Sequence, residues 1–408
     1  MKVLSQTQIG SLIAITLIVS AAITASSDLF LRLLIGLALG ITLTKSAIGF
    51  AGSVNRAYRR GSTELIKTLM LMFVSASIMS AALLYSQGNE HFQLWVNPIN
   101  AGLILGGLMF GFGMTLSSCC ASGVMVEMVA DVPRALTTLV AFGLGVYIGF
   151  PLQASASWIT DSWLSSASYT DKGVFLPDWF SWGPLNGYLM AVLVTVVFAY
   201  IVVKLAERYQ QTRKEQGRYL GVAAEEARQN LVLMQQGASK LSALWSMNFG
   251  AVVIAAIFTI LMITTGAGWG ASTPFGIWFG KLLIMLGVSA SDVAQFSHKS
   301  VELFQTPVLQ HGVSLQNIGI LLGTVIAVLW LGKWRNPWVN SYTIKHYALF
   351  ALGGISMGLG TRFANGCNVG ALFTPIANFS LSGWVFFVAL IIGGVVGNRF
   401  AQKVRMIG

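Results

Sequence analysis

Gly106-Gly-Leu-Met-Phe-Gly-Phe-Gly-Met-Thr-Leu-Ser-Ser-Cys-Cys120-Ala-Ser-Gly123 and Gly353-Gly-Ile-Ser-Met-Gly-Leu-Gly-Thr-Arg-Phe-Ala-Asn-Gly-Cys367-Asn-Val-Gly370 are one phrase written twice. Gly-Gly, Gly-x-Gly, Cys and Gly fall in register. With 44 glycines in the chain, chance supplies isolated glycine matches. It seldom supplies a whole phrase with its cysteine at the same offset. The duplication is therefore read as real, and an internal repeat constrains the architecture before it says anything of chemistry.

Outward from the two phrases the chain is apolar. Its 408 residues are 55% hydrophobic and 10% charged, with a mean hydropathy of +0.71, whereas soluble domains are about 25% charged. Apolar windows long enough for one helix to cross a bilayer, roughly 20 residues, recur at 9–25, 29–44, 65–86, 99–116, 134–154, 184–204, 247–265, 274–290, 316–333, 346–363 and 381–400. Backbone groups in lipid need internal partners, and period-two alternation is absent, so these are helices and not barrel strands. The fold class predicted is an all-α polytopic membrane protein. The first apolar stretch, with Lys2 near its start, runs into the second without a small-residue cleavage site and reads as retained.

The net charge of +11 lies between the spans and not in a stripe, which argues against nucleic acid as a partner. Eighteen of the 25 Lys and Arg fall in 45–67, 204–240, 333–345 and 399–405, and the positive-inside rule makes these segments cytoplasmic. Segments 87–98 and 155–183, poor in basic charge, should face outward, the second with Trp158, Trp163, Trp179 and Trp182. The expected home is the inner (plasma) membrane. A hydrophilic stretch divides the chain into an N-terminal membrane repeat at 1–206, a cytoplasmic, partly helical connector at 207–240 and a C-terminal membrane repeat at 241–408. Charge counting puts the two cysteine loops on opposite sides, which makes the duplication an inverted repeat of the kind that puts a substrate path at its interface. Eleven spans give awkward parity, so some are expected to be re-entrant. The segments 274–290 and 29–44, short and flanked by Gly or Pro, fit best.

After each repeated cysteine about ten apolar residues precede the next span, a length that suits a re-entrant half-helix but not a crossing. Glycines there let backbone approach a ligand, and half-helix N-termini favour anions. Cys120 and Cys367 then face a common path as polarised thiols or thiolates, suited to a soft sulfur anion. Cys119, Gly123, Gly366 and Gly370 belong to the same path, and Ser117, Ser118, Asn365 and Asn368 add hydrogen-bonding groups unless local backbone consumes them. Arg362 is the one charge in the second phrase, either an electrostatic attractor or a structural partner. Lys281 has the same two readings. Glu127 and Asp131 are expected to pair with Arg134 or to mark an exit. Three cysteines make no disulfide framework or zinc site, four scattered histidines show no metal spacing, and no nucleotide-hydrolysis or catalytic-triad motif is found. Neither enzyme, metal nor cofactor is expected.

These residues resemble the YeeE/YedE family of membrane transporters for thiosulfate and other sulfur compounds. The resemblance is strongest from Gly353 to Trp384, including Ser380-Leu-Ser-Gly-Trp384, extends through Gly106 to Gly123, and is weaker at Gly36 to Arg59 and Gly266 to Gly276. It implies an hourglass-like bundle of spanning and re-entrant half-helices, and thiosulfate uptake through a narrow path in which Cys120 and Cys367 hydrogen-bond the anion in succession. A third cysteine of the family pattern falls at Gly49 here, and Ser118-Cys119 stands where the family usually has Gly-Gly. Import of a small sulfur-containing anion is the leading expectation. The alternative, kept open by Cys119 beside Cys120, is a sulfur-transfer protein that forms a cysteine persulfide and passes sulfur to a cytoplasmic carrier protein.

Overall fold

The computed structural model describes residues 5–404, so Lys2 and Arg405 lie outside the described residues. Every apolar window forms a helix. The principal helices are α1 (Gln6–Thr24), α2 (Ser27–Ser46), α3 (Gly52–Arg60), α4 (Glu64–Gln87), α5 (Ala101–Ser117), α6 (Gly123–Glu127) and α7 (Val132–Ser155). They continue with α8 (Tyr188–Glu215), α9 (Ala223–Gln229), α10 (Met247–Thr265), α11 (Thr273–Met285), α12 (Gly312–Trp330), α13 (Ile344–Phe363) and α14 (Ser382–Lys403). No sheet forms among the described residues, and eight helices are long and apolar enough to cross a membrane. This is an all-α, multi-pass membrane protein.

Local sequence sets the helix ends. Ser5 and Gln8 make a reciprocal capping box at α1, Ser246 accepts from Phe249 N at α10, and Asp131 caps α7 just ahead of Pro133. Asn100 does more. Its Oδ1 accepts from Leu103 N at 2.8 Å to start α5, while its amide donates to the carbonyls of Ile159 and Asp161 just beyond the end of α7. A side chain 1% exposed thus satisfies two segments at once.

The glycines of the two phrases determine the packing. A Cβ on Gly106 would lie 2.6 Å from the Gly360 carbonyl oxygen, and one on Gly360 would lie 2.7 Å from that of Gly106. At the other end of the same contact the distances are 2.4 Å from Gly113 to Gly353 O and 2.7 Å from Gly353 to Gly113 O. Helices α5 and α13 therefore run antiparallel at a separation only glycine permits, as small-residue interfaces in membranes do. Moving each residue to its partner in the duplicated phrase carries one contact pair onto the other. The flanks follow the same exchange: Gly111 meets Leu390 O of α14 at 2.2 Å, and Gly358 meets Phe142 O of α7 at 2.4 Å.

Two expectations about length divide here. Helix α11 ends at Met285 after 13 residues, about 20 Å at 1.5 Å per residue, too short to cross. Segment 29–44 does not break: it lies inside the continuous 20-residue α2. Its Gly36 and Gly40 are packing glycines, 2.3 Å and 2.2 Å by their absent Cβ from the carbonyl oxygens of Gln316 and Ile320 on α12. The stretch from 207 to 240 is partly helical, since α8 continues to Glu215 and α9 follows. It is also docked. Leu220 N donates to Arg60 O, and the buried Glu225 and Arg228 side chains face the bundle.

Candidate functional site

The end of α5 is set by Ser118, whose left-handed φ of 58° turns the chain away from the helix. Asn365 does the same after α13, with φ 56° at the equivalent place in the second phrase. Each turn delivers its cysteine two residues later into a non-helical stretch. Beyond Cys120 the chain makes only the five-residue α6. Beyond Cys367 it makes a π-helical segment, Asn368–Phe373, and then Thr374–Ala377.

Cys120 Sγ accepts from Gly123 N at 3.4 Å and lies 3.7 Å from Ser122 Oγ. A Cβ on Gly123 would sit 3.1 Å from that sulfur, so a larger residue there would push the thiol aside. Cys119 and Cys120, each 2% exposed, line a cavity of about 870 Å³. Ser118, Ser122, Gly123 and Glu127 line the same cavity, as does the turn from Gly49 to Gly52. Burial among apolar groups favours the neutral S–H over a thiolate, so these thiols are hydrogen-bonding groups and not free charges. Ser117 contributes less than the sequence suggests: its hydroxyl is spent on the carbonyls of Gly113 and Cys119.

The cavity walls are basic. Arg56, Arg59, Arg60, Arg228, Lys333 and Arg335 line it, and the one acid in its wall, Glu127, is held by Arg134 Nη2 at 2.5 Å. Asp131, as expected, also joins Arg134, at 3.5 Å, and accepts from Asn340 and Tyr342. Sequence reading took the six cations as signs of orientation only. Their convergence on one cavity depends on α3, the connector and the end of α12 meeting, contacts too distant in sequence to read.

The second cysteine is more enclosed. Cys367 is 1% exposed and does not line that cavity. Gly366 is required because its Cβ would be 2.4 Å from the carbonyl carbon of Gly370, and Gly370 itself lies under the Trp95 ring. Asn97 Nδ2 donates to Gly370 O at 3.4 Å. Asn368 is buried, its Nδ2 3.9 Å from Met114 Sδ and its Oδ1 without a protein partner. Asn365 is tied to α7, accepting from Gln153 Nε2 at 2.7 Å. Because Asn368 reaches Met114, six residues before Cys120, both cysteine turns fold back toward the α5–α13 contact.

Arg362 is 3% exposed and held by neutral groups. Nη2 donates to Ser272 Oγ at 2.7 Å, Nη1 to Gln153 Oε1 and Thr273 Oγ1, Nε to Thr361 Oγ1, and the guanidinium lies 5.5 Å from the Phe150 ring centre. No carboxylate pairs with it among the described residues. The same ring carries Lys299 Nζ at 5.3 Å, a cation that sequence reading passed over. Lys281 resolves to the structural reading: its ammonium donates to the carbonyls of Phe304 and Thr306. No cluster of metal-ligating residues occurs among the described residues.

Residues 45–396 match the sulphur transport family. The chain belongs to that family. Its family is one of sulphur transport, and its eight spanning-length helices make it a multi-pass membrane protein. The matched span opens on Lys45, at the end of α2, and includes the Gly49 turn, both cysteine phrases, the connector and Arg362. Among curated proteins, the chain is similar to the "Thiosulfate transporter TsuA" of Spirochaeta thermophila, 26% identical over 88% of this chain and 95% of that one. It is also similar to the "Probable transporter YedE" of Escherichia coli and of Salmonella typhimurium, 33% identical in each case, but the match covers only 39% of the length of either YedE protein.

Proposed function

We propose that this protein imports a small sulfur-containing anion, thiosulfate or a close relative, across the inner membrane along a path that passes Cys120 and Cys367. The observation that carries the proposal is one cavity lined by both Cys119 and Cys120 and by six cations. Cations concentrate an anion in the cavity, and weakly polar, polarisable thiols hydrogen-bond it there without trapping it as a buried ion pair would. The similarity over nearly full length to a protein named as a thiosulfate transporter supports the substrate class. Arg362 adds an unpaired positive charge on the approach to Cys367, with Gly366, Asn368 and Gly370 shaping that turn.

In this reading the two membrane repeats, 1–206 and 241–408, are related by a two-fold axis in the membrane plane. The reciprocal contacts Gly106–Gly360 and Gly113–Gly353 support it. The short helices after each cysteine, and α11, are the re-entrant elements, and the basic cavity opens to the cytoplasm.

One observation favours a second reading: Cys119 and Cys120 both line the cavity. In it, the Cys120 thiol gives up its proton to water as its sulfur takes the terminal sulfur of thiosulfate, forming a persulfide and releasing sulfite, and a cytoplasmic sulfur-carrier protein collects the sulfur. A host unable to import thiosulfate, grown on thiosulfate as sole sulfur source, tests the import reading. The parent protein restores growth, and Cys120→Ala and Cys367→Ala do not. Growth with either alanine variant equal to the parent overturns the cysteine path. Mass spectrometry of protein exposed to labelled thiosulfate separates the second reading: one added sulfur on Cys120 supports transfer, and unmodified protein with intact anion accumulating supports transport.

A further inference from the structure

Among the described glycines, Gly49 stands apart. Every other one either packs against a neighbour within 4 Å of its missing Cβ or holds a positive φ that disfavours other residues. Gly49 does neither: a Cβ there meets nothing within 4 Å, and its backbone is open to any L-residue. What its missing side chain changes is the space in the cavity that it lines together with Cys120.

The surroundings of that space say what fits it. Leu43, Ile48, Val126 and Val328 line the same cavity as Gly49, so part of its wall is hydrocarbon. The basic side chains of α3 and the connector lie in the same walls. An occupant with an anionic head and a small apolar substituent matches both, since the head meets cations while the substituent leaves water for apolar wall. A bare inorganic anion uses only half of that complementarity.

We propose that Gly49 sets a size limit for the path, and that the cavity takes sulfur oxoanions bearing one small apolar substituent, the organosulfonates being the simplest class. This rests on the import reading above and adds a substrate class to it. The substituent lies in the space beside Gly49 and the sulfonate faces the cations. Side chains introduced at position 49 fill that space and exclude the larger members first.

The test uses methanesulfonate, propanesulfonate and pentanesulfonate, which do not react with thiols, as inhibitors of labelled thiosulfate uptake into vesicles containing the full chain. In the parent, propanesulfonate inhibits more strongly than methanesulfonate. In Gly49→Ala the preference shrinks, and in Gly49→Val the propanesulfonate-to-methanesulfonate preference falls at least about tenfold, the scale of an overpacked site. Should Gly49→Val take up no thiosulfate, the same preference is read from protection of Cys120 against alkylation by a maleimide. No dependence on alkyl length in the parent, or an unchanged preference in both variants, overturns the proposal. Absence of thiosulfate uptake in the parent contradicts the import reading instead, and the alkylation assay then still reports on the sulfonate site.

Discussion

Arg56 Nη1 donates to Glu225 Oε1 at 2.9 Å, tying the segment between the two halves to the wall of the cavity that holds Cys120. The carboxylate is 3% exposed and also accepts from the Ser62 hydroxyl. Arg228 completes the attachment by donating from Nε to the Lys45 carbonyl at 3.0 Å, and the Lys45 ammonium reaches back to Lys240 O. Removing one partner of a buried pair leaves the other charge unpaired, a loss of about 3–5 kcal/mol. Arg56→Ala should therefore lower the unfolding temperature in detergent markedly, and Glu225→Gln less, because its amide still accepts from Ser62. Glu225→Gln should also speed labelling of Cys120 by a charged thiol reagent applied from the connector side. Unchanged labelling would mean that the connector does not restrict the cavity.

The glycine exchange between α5 and α13 gives a paired prediction. Gly113→Val and Gly353→Val each drive a side chain into the other residue's carbonyl, at 2.4 Å and 2.7 Å. Backbone cannot move aside as a side chain can, so each should destabilise by more than the usual 1–3 kcal/mol of overpacking. Folded yield after purification should drop for both, while Gly49→Val, with open space around it, should be made in parent amounts. A severe loss at one of the pair and none at the other would contradict the reciprocal contact.

His311 supplies a pH dependence. Its Nδ1 accepts from Ser314 N at 3.2 Å to cap α12, which requires the neutral ring with its proton on Nε2. Burial, with Arg32 and Lys281 nearby, holds its pKa below the ordinary histidine value. A base depressed in the folded state contributes stability that is full above its unfolded pKa, about 6.5, and is lost as pH falls through the folded value. Thermal stability should decline below about pH 6.5 by more in the parent than in His311→Asn, whose amide oxygen caps without titrating. Identical pH profiles would remove His311 from that role.

Arg362 separates attraction from architecture. Its planar fork reaches Ser272, Thr273 and Gln153 together, which a lysine cannot reproduce. If its charge draws the anion, Arg362→Lys retains thiosulfate uptake with modestly raised KM, while Arg362→Gln raises KM far more at unchanged thermal stability. Equal loss of stability in both, with KM unaltered in the protein that remains folded, would make Arg362 purely structural.

Much of this was legible in the chain because membrane helices announce themselves locally. All eleven apolar windows are helices, and the duplicated glycines pack as a duplicated pair. Ser118 and Asn365, aligned only as polar residues, turn out to share the left-handed turn that delivers each cysteine. Other features depended on contacts across hundreds of residues. The convergence of Arg56, Arg228 and Lys333 on one cavity, the burial of Glu225 and the ring shared by Arg362 and Lys299 leave no local pattern. Segment 29–44 was misjudged because glycine reads alike whether it breaks a helix or lets another helix approach.

Proteoliposomes loaded with buffer and supplied with radiolabelled thiosulfate offer the most direct measurement. With parent protein, intact thiosulfate should accumulate inside, and with Cys120→Ala or Cys367→Ala, each reconstituted to the same density and equally stable to heat, accumulation should fall to the level of empty vesicles. Accumulation at the parent rate by both variants would show that the anion crosses without meeting either thiol.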